Sequence, residues 1–94
     1  MRVVGRVLLE EYGKSHASAR GPLLVWLAVA EQATWQNIVQ VRRTYPHADF
    51  VKPYTVFNVK GNSYRLITII KYQSQLVSVE RCMTHSEYDR GDWK

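Results

Sequence analysis

The chain has 94 residues, one cysteine and a formal net charge of +5. A chain this short builds one core, so residues 1–94 are expected to form a single domain. The ordinary apolar share excludes wholesale disorder. The longest apolar run (residues 22–30) falls well short of the roughly 18 residues of a membrane-spanning helix, and a lone cysteine excludes an internal disulfide framework.

No charged-then-apolar leader opens the sequence, so the expectation is a cytoplasmic protein without a membrane partner. The positive balance tilts toward an anionic partner, nucleic acid above all. Lysines and arginines are spread from Arg2 to Lys94 with no basic tail, so a positive patch has to be assembled by folding.

Met1-Arg2-Val3-Val4 is short and β-branched and reads as a first strand. Residues 6–12 place Val7, Leu8 and Tyr12 at helical spacing with Glu10 and Glu11 outward, and Gly13 reads as the helix stop. A second helix is expected to start at residues 19–22, where Pro22 suits a first turn, with Leu23, Trp26, Leu27 and Ala30 as its buried stripe. Thr34 reads as the N-cap of a third helix over residues 35–42, with Trp35, Ile38 and Val39 on its apolar side. Trp26 and Trp35 at this spacing are core residues before they are base-stacking ones.

Pro46 pushes Tyr45 away from helix, so residues 45–49 form a connection. From Tyr54 the apolar period becomes two, and residues 54–59, 63–72 and 75–83 read as three antiparallel strands. Gly61-Asn62 suits the tight loop of the first hairpin. Helices followed by a meander predict an α+β fold. Its N-terminal strand and two to three helices pack on one face of an antiparallel sheet that ends in a three-stranded meander.

Counting from the Gly61-Asn62 loop pairs Val59 with Tyr64, Asn58 with Arg65 and Phe57 with Leu66. Counting from the turn at Gln73-Ser74 pairs Lys71 with Leu76, Arg65 with Cys82 and Tyr64 with Met83. Strand alternation then puts Phe57, Val59, Tyr64, Leu66, Ile70, Val77, Val79 and Met83 on a face toward the helices. Asn58, Lys60, Arg65, Lys71, Ser78, Glu80 and Cys82 take the opposite face, with Ile67 and Ile69 among them. A mixed polar face open to water is ordinary for an antiparallel sheet. Here it also carries Asn58, Lys60 and Arg65 at one end, the end to which the chain returns with His85, Glu87 and Tyr88.

Four stretches carry a resemblance. Val56-Phe57-Asn58-Val59-Lys60-Gly61-Asn62-Ser63-Tyr64-Arg65-Leu66 and Thr84-His85-Ser86-Glu87-Tyr88-Asp89 are the strongest, with Met1-Arg2-Val3-Val4 before a helix and Ala33-Thr34-Trp35-Gln36-Asn37. Together they make the chain resemble the HigB family of bacterial type II toxin–antitoxin toxins, among the RelE-like mRNA interferases, over essentially its whole length. The resemblance implies a small RelE-like fold and an mRNA endoribonuclease that inhibits translation by cutting messages on the ribosome, with no metal and no cofactor. It also implies a cognate HigA-like helix-turn-helix antitoxin in a toxin–antitoxin hetero-oligomer. By the same resemblance Arg65 matches a strand arginine at the scissile phosphate. His85 and Tyr88 match C-terminal positions where relatives carry basic and tyrosyl groups, while Asn58 and Lys60 fall near lysines of some relatives. Gly5 stands where a serine or similar cap is expected.

Cutting RNA without a metal uses the 2′-hydroxyl as nucleophile, so a base, an acid and a cation are needed around the phosphate. Arg65 suits the cation, its guanidinium forking onto two phosphate oxygens; the plainer reading is a solvated arginine paired with Glu80. His85 is the first choice for acid or base, and otherwise a surface residue. Tyr88 serves in either role, or stacks on a base. Glu87 is a conceivable base, an RNA-side residue or simply a helix cap. Asn58, Lys60 and Lys71 would hold the RNA backbone or be solvated charge and polarity. Arg81 falls on the apolar face by the count and is set aside. His16, His47 and Cys82 lack metal-ligand spacing, and Cys82 lacks a base partner other than His85. A non-catalytic RNA- or ribosome-binding module, or an inactive relative retained for antitoxin binding, would carry the same basic face.

Overall fold

A computed structural model describes all 94 residues. The elements run β1 (Arg2–Val4), α1 (Arg6–Ser15), α2 (Ala17–Gln32), α3 (Ile38–Thr44), β2 (Asp49–Val51), β3 (Tyr54–Val59), β4 (Tyr64–Lys71), β5 (Leu76–Thr84) and α4 (His85–Arg90). The α+β architecture is the expected one. Its five strands lie in the order β1-β5-β4-β3-β2. The sheet is mixed rather than antiparallel throughout, because β1 joins the outer edge of β5 in parallel. The three-residue β2 adds an unexpected edge beside β3.

Helix boundaries depart from the sequence reading for identifiable reasons. Gly13 does not stop α1, which runs on to Ser15. A Cβ at Gly13 would stand 3.2 Å from Cβ and Cγ of Arg20, so the glycine serves the close approach of α2. α2 begins at Ala17, which leaves Pro22 inside the helix, where it denies the Ser18 carbonyl its helical donor. The expected stripe of Leu23, Trp26, Leu27 and Ala30 is buried. α3 starts later than expected, because the Asn37 side chain accepts from the Gln40 amide at 3.0 Å and caps it in place of Thr34. Trp35 therefore precedes the helix, buried and stacked on Phe57 at 6.0 Å, while Val41 turns inward and Val39 is exposed.

The first hairpin has the counted register, Val59 opposite Tyr64 and Asn58 opposite Arg65. Its positive φ angles fall on Lys60 and Gly61 rather than Gly61 and Asn62. The second begins as counted, Lys71 opposite Leu76, then slips. Thr68 faces Val79 and Ile67 faces Arg81, leaving Glu80 as an extra residue. Beyond that bulge every partner moves by one: Arg65 faces Met83 instead of Cys82, and Tyr64 faces Thr84 instead of Met83. The two faces are exchanged with it. Cys82 packs on the helix side, Met83 crosses to the other, and Arg81, which the count placed on the apolar face, follows Met83.

The main core lies between the helices and one sheet face, with Trp26, Trp35 and Tyr45 packed around Phe57. The opposite face is not left to water as expected. A smaller cluster of Val56, Ile67, Met83 and Trp93 covers part of it, with Val51, Tyr54 and Tyr88 packed against it. Burying an aromatic of this size contributes about 2–3 kcal/mol, enough to hold the C-terminal segment down on this face. That segment brings α4 to Arg65.

Candidate active site

α4 is only six residues long and is fixed at both ends. The Thr84 hydroxyl accepts from the Glu87 amide at 3.2 Å, and the Glu87 carboxylate accepts from the Thr84 amide at 2.9 Å, a reciprocal cap. The His85 amide donates to the Ser63 carbonyl at 3.0 Å, which ties the helix start to the first hairpin. Gly91, at φ 77°, ends the helix, and the Trp93 indole donates back to the Tyr88 carbonyl at 3.0 Å. Residues three apart share a helix face. The face holding His85 and Tyr88 is thus turned onto Arg65.

Arg65 is almost enclosed, 7% exposed. Its Nη1 donates to the carbonyls of Asn62 (3.3 Å) and Tyr64 (3.2 Å), and its Nη2 to Asn62 Oδ1 (2.6 Å) and to Nδ1 of His85 (2.9 Å). The guanidinium carbon lies 5.5 Å from the centre of the Tyr88 ring. No carboxylate pairs with Arg65, and Glu80, the partner of the plainer reading, instead accepts from Ser78 at 2.6 Å. The structure therefore brings Arg65, His85 and Tyr88 together. The guanidinium fork, however, points at the protein's own acceptors, and Nε–H is the donor left over. What Arg65 offers a ligand is chiefly a fixed positive charge.

An arginine can only donate, so Nδ1 of His85 carries no proton in this arrangement and the ring proton sits on Nε2. That nitrogen lies 3.3 Å from the Asp89 carboxylate one turn on. Nδ1 of His85 is thus occupied, while Nε2 lies near the Asp89 carboxylate without a hydrogen bond to it. Tyr88 stacks on Trp93 at 5.0 Å, and its hydroxyl has no partner within the chain. Burial pushes the Tyr88 phenol above its ordinary value, and the Asp49 and Asp89 carboxylates push the same way against Arg65. Tyr88 therefore holds its proton at neutral pH.

Arg65 and Tyr88 line an open groove of about 430 Å³ together with Asn58. Arg42, from α3, and the loop of Pro46, His47, Ala48 and Asp49 line the same groove. That loop reads in the sequence as a mere connection. It is held there by Arg42, whose Nε donates to the Ala48 carbonyl at 3.0 Å, and by burial of Ala48. Asn62, read only as a turn residue, proves to be the main orienting partner of Arg65. The spacing from Asn62 to Arg65, three residues across a hairpin bend, was the only available signal.

The remaining expected residues are placed elsewhere. Lys60 is exposed on the hairpin turn, near but outside this groove. Lys71 ends β4, six residues from Arg65, on the order of 20 Å away at ~3.3 Å per residue. Glu87 is taken up by its cap, which holds its carboxyl below the ordinary range, the Thr84 amide first among the causes. It lines a second groove between α1 and α4, with Tyr12, His16 and Arg81. Cys82 lies on the helix side, and burial pushes its thiol up to about 12, which leaves it without thiolate character.

Compared with known proteins, residues 19–91 match the HigB toxin family model, described as the RelE-like toxic component of a toxin–antitoxin system. The mRNA interferase toxin HigB of Escherichia coli (strain K12) is 33% identical over 92 residues, covering 95% of this chain and 88% of that protein. The mRNA interferase HigB of Escherichia coli O157:H7 and that of Shigella flexneri match with the same identity and coverage.

Proposed function

The chain belongs to the HigB family of RelE-like toxins, and from that premise we propose that residues 1–94 act as one toxin domain that cuts mRNA at the groove lined by Arg65. It is a toxin of a toxin–antitoxin system and an mRNA endoribonuclease, with an antitoxin as its partner. A HigA-like helix-turn-helix form for that antitoxin, a hetero-oligomeric complex with it, cutting on the ribosome and action in the cytoplasm are parts of the proposal. No helix is long and apolar enough to cross a membrane.

The observation that carries this reading is the enclosed guanidinium of Arg65, held between Asn62 and His85 over the ring of Tyr88. In the proposed reaction the RNA 2′-hydroxyl attacks its own phosphate and the 5′ oxygen leaves. Negative charge gathers on the phosphoryl oxygens as it does so. A cation ~4–5 Å away favours that state by about 3–4 kcal/mol at an effective dielectric near 20. His85 holds the cation in place, and Tyr88, still protonated, supplies the leaving oxygen with its proton. Asn58, Arg42 and Lys60 border the path of the RNA backbone.

Induced expression of the chain without an antitoxin tests the reading. Growth arrest accompanied by broken messages is expected, and undiminished growth with intact messages during verified expression contradicts it.

A further inference from the structure

The reaction needs a group to take the 2′-hydroxyl proton, and the chain has three histidines to supply it. His16 stacks against Tyr12 at 4.0 Å, with its Nδ1 buried, in the other groove. His85 has one nitrogen committed to Arg65 and the other beside Asp89. His47 differs from both. It is exposed, neither ring nitrogen has a partner in the chain, and it lines the groove together with Arg65 and Tyr88.

Its position follows from the sheet. In β2, Asp49 stands opposite Val56 of β3, so the chain leading into β2 runs alongside the end of β3, where Asn58 pairs with Arg65. Arg42 pins the loop there through the Ala48 carbonyl. The charged and titratable groups facing His47 are Arg42 from α3, Asp49 from β2, Arg65 from β4 and Tyr88 from α4. Tyr88, Arg65 and His47 line the same groove, from α4, from β4 and from the loop before β2, so a phosphate bound in it has the Tyr88 hydroxyl and an unpartnered imidazole among its surroundings.

We propose that His47 is the catalytic base of this groove, taking the 2′-hydroxyl proton while Tyr88 protonates the 5′ oxygen, and that His85 is a positioning residue for Arg65. The proposal rests on the mRNA-cutting function above. In the step, the O2′–H bond breaks and its proton goes to an imidazole nitrogen of His47 as the P–O2′ bond forms. The P–O5′ bond breaks, and the oxygen takes the Tyr88 hydroxyl proton. The products are a 2′,3′-cyclic phosphate and a 5′-hydroxyl. Exchange with water restores both side chains.

The test is single-turnover cleavage of a 5′-labelled message of defined sequence, programmed on purified bacterial ribosomes, by the wild type, His47→Ala and His85→Gln. Because His47 is exposed and makes no hydrogen bond within the chain, its substitution is expected to leave the fold intact, which circular dichroism checks. His47→Ala is expected to slow cleavage on the order of 10²–10⁴-fold, and added imidazole to restore part of the rate. Imidazole is expected to do nothing for His85→Gln. Cleavage by His47→Ala within a few-fold of wild type overturns the proposal, as does a loss that imidazole leaves untouched. A wild-type protein that cuts no message on these ribosomes or free of them overturns the cutting function itself, and this inference with it.

Discussion

The bond from Nη2 of Arg65 to Nδ1 of His85, 2.9 Å long, can run in only one direction. It makes the histidine an acceptor and the arginine a fixed charge. His85→Ala removes that acceptor from a guanidinium otherwise oriented by Asn62 and Tyr64. A hydrogen bond to a charged group contributes about 1.5–3 kcal/mol, so cleavage is expected to fall roughly 10- to 150-fold. RNA affinity should change little, since the positive charge remains. Single-turnover rates set beside filter-binding constants check this.

Tyr88 has separable parts. Tyr88→Phe keeps the stack on Trp93 and the ring beneath the guanidinium, and loses only the hydroxyl. The variant is expected to melt like the wild type yet cleave on the order of 10²-fold more slowly. Tyr88→Ala is expected to lose stability as well, because it unpacks the C-terminal cluster. Thermal unfolding and cleavage measured on both variants distinguish chemistry from packing.

The C-terminal segment depends on Trp93. Its indole closes the cluster of Val56, Ile67 and Met83 over the face opposite the main helices. Trp93→Ala is expected to destabilise the chain by about 3 kcal/mol and to loosen α4, so that Arg65 becomes accessible. Denaturant unfolding gives the first effect. Amide hydrogen exchange at Tyr88 and its neighbours gives the second.

The cap of α4 confers a pH dependence. The Glu87 carboxyl is held below its usual value by the Thr84 amide. A carboxylate whose folded value is lowered stabilises the fold above its unfolded value, and that contribution disappears as pH falls through the folded value. Fraying of α4 is therefore expected to grow on acidification through and below the ordinary carboxylate range. Glu87→Gln should remove the carboxylate's share of that trend. Amide exchange in α4 across that pH range is the measurement.

Much of this was legible in the sequence because it is local. The Gly61 hairpin set Asn58 against Arg65 by counting alone. The convergence of His85 and Tyr88 on Arg65 was reached through a wrong register, since Glu80 bulges out and shifts every later pair. The end of the sheet was right all the same, because one residue of slip moves the chain by a single step along the strand while exchanging the faces. Thr84 with Glu87 spelled a reciprocal cap, so the short helix could have been read outright. The place of Arg42 and His47 was not legible. They come to line the groove of Arg65 only through the fold of α3 and β2, and nothing in their spacing records that placement.

That Arg65 sits at the point where messages are cut is tested by mapping 5′ ends in cellular RNA after brief induction of the chain. Wild type is to be compared with Arg65→Ala, both at equal abundance and with the fold verified by circular dichroism. New 5′ ends within coding sequences are expected for the wild type, and their disappearance for Arg65→Ala. The same ends at the same level in both would contradict that placement of Arg65.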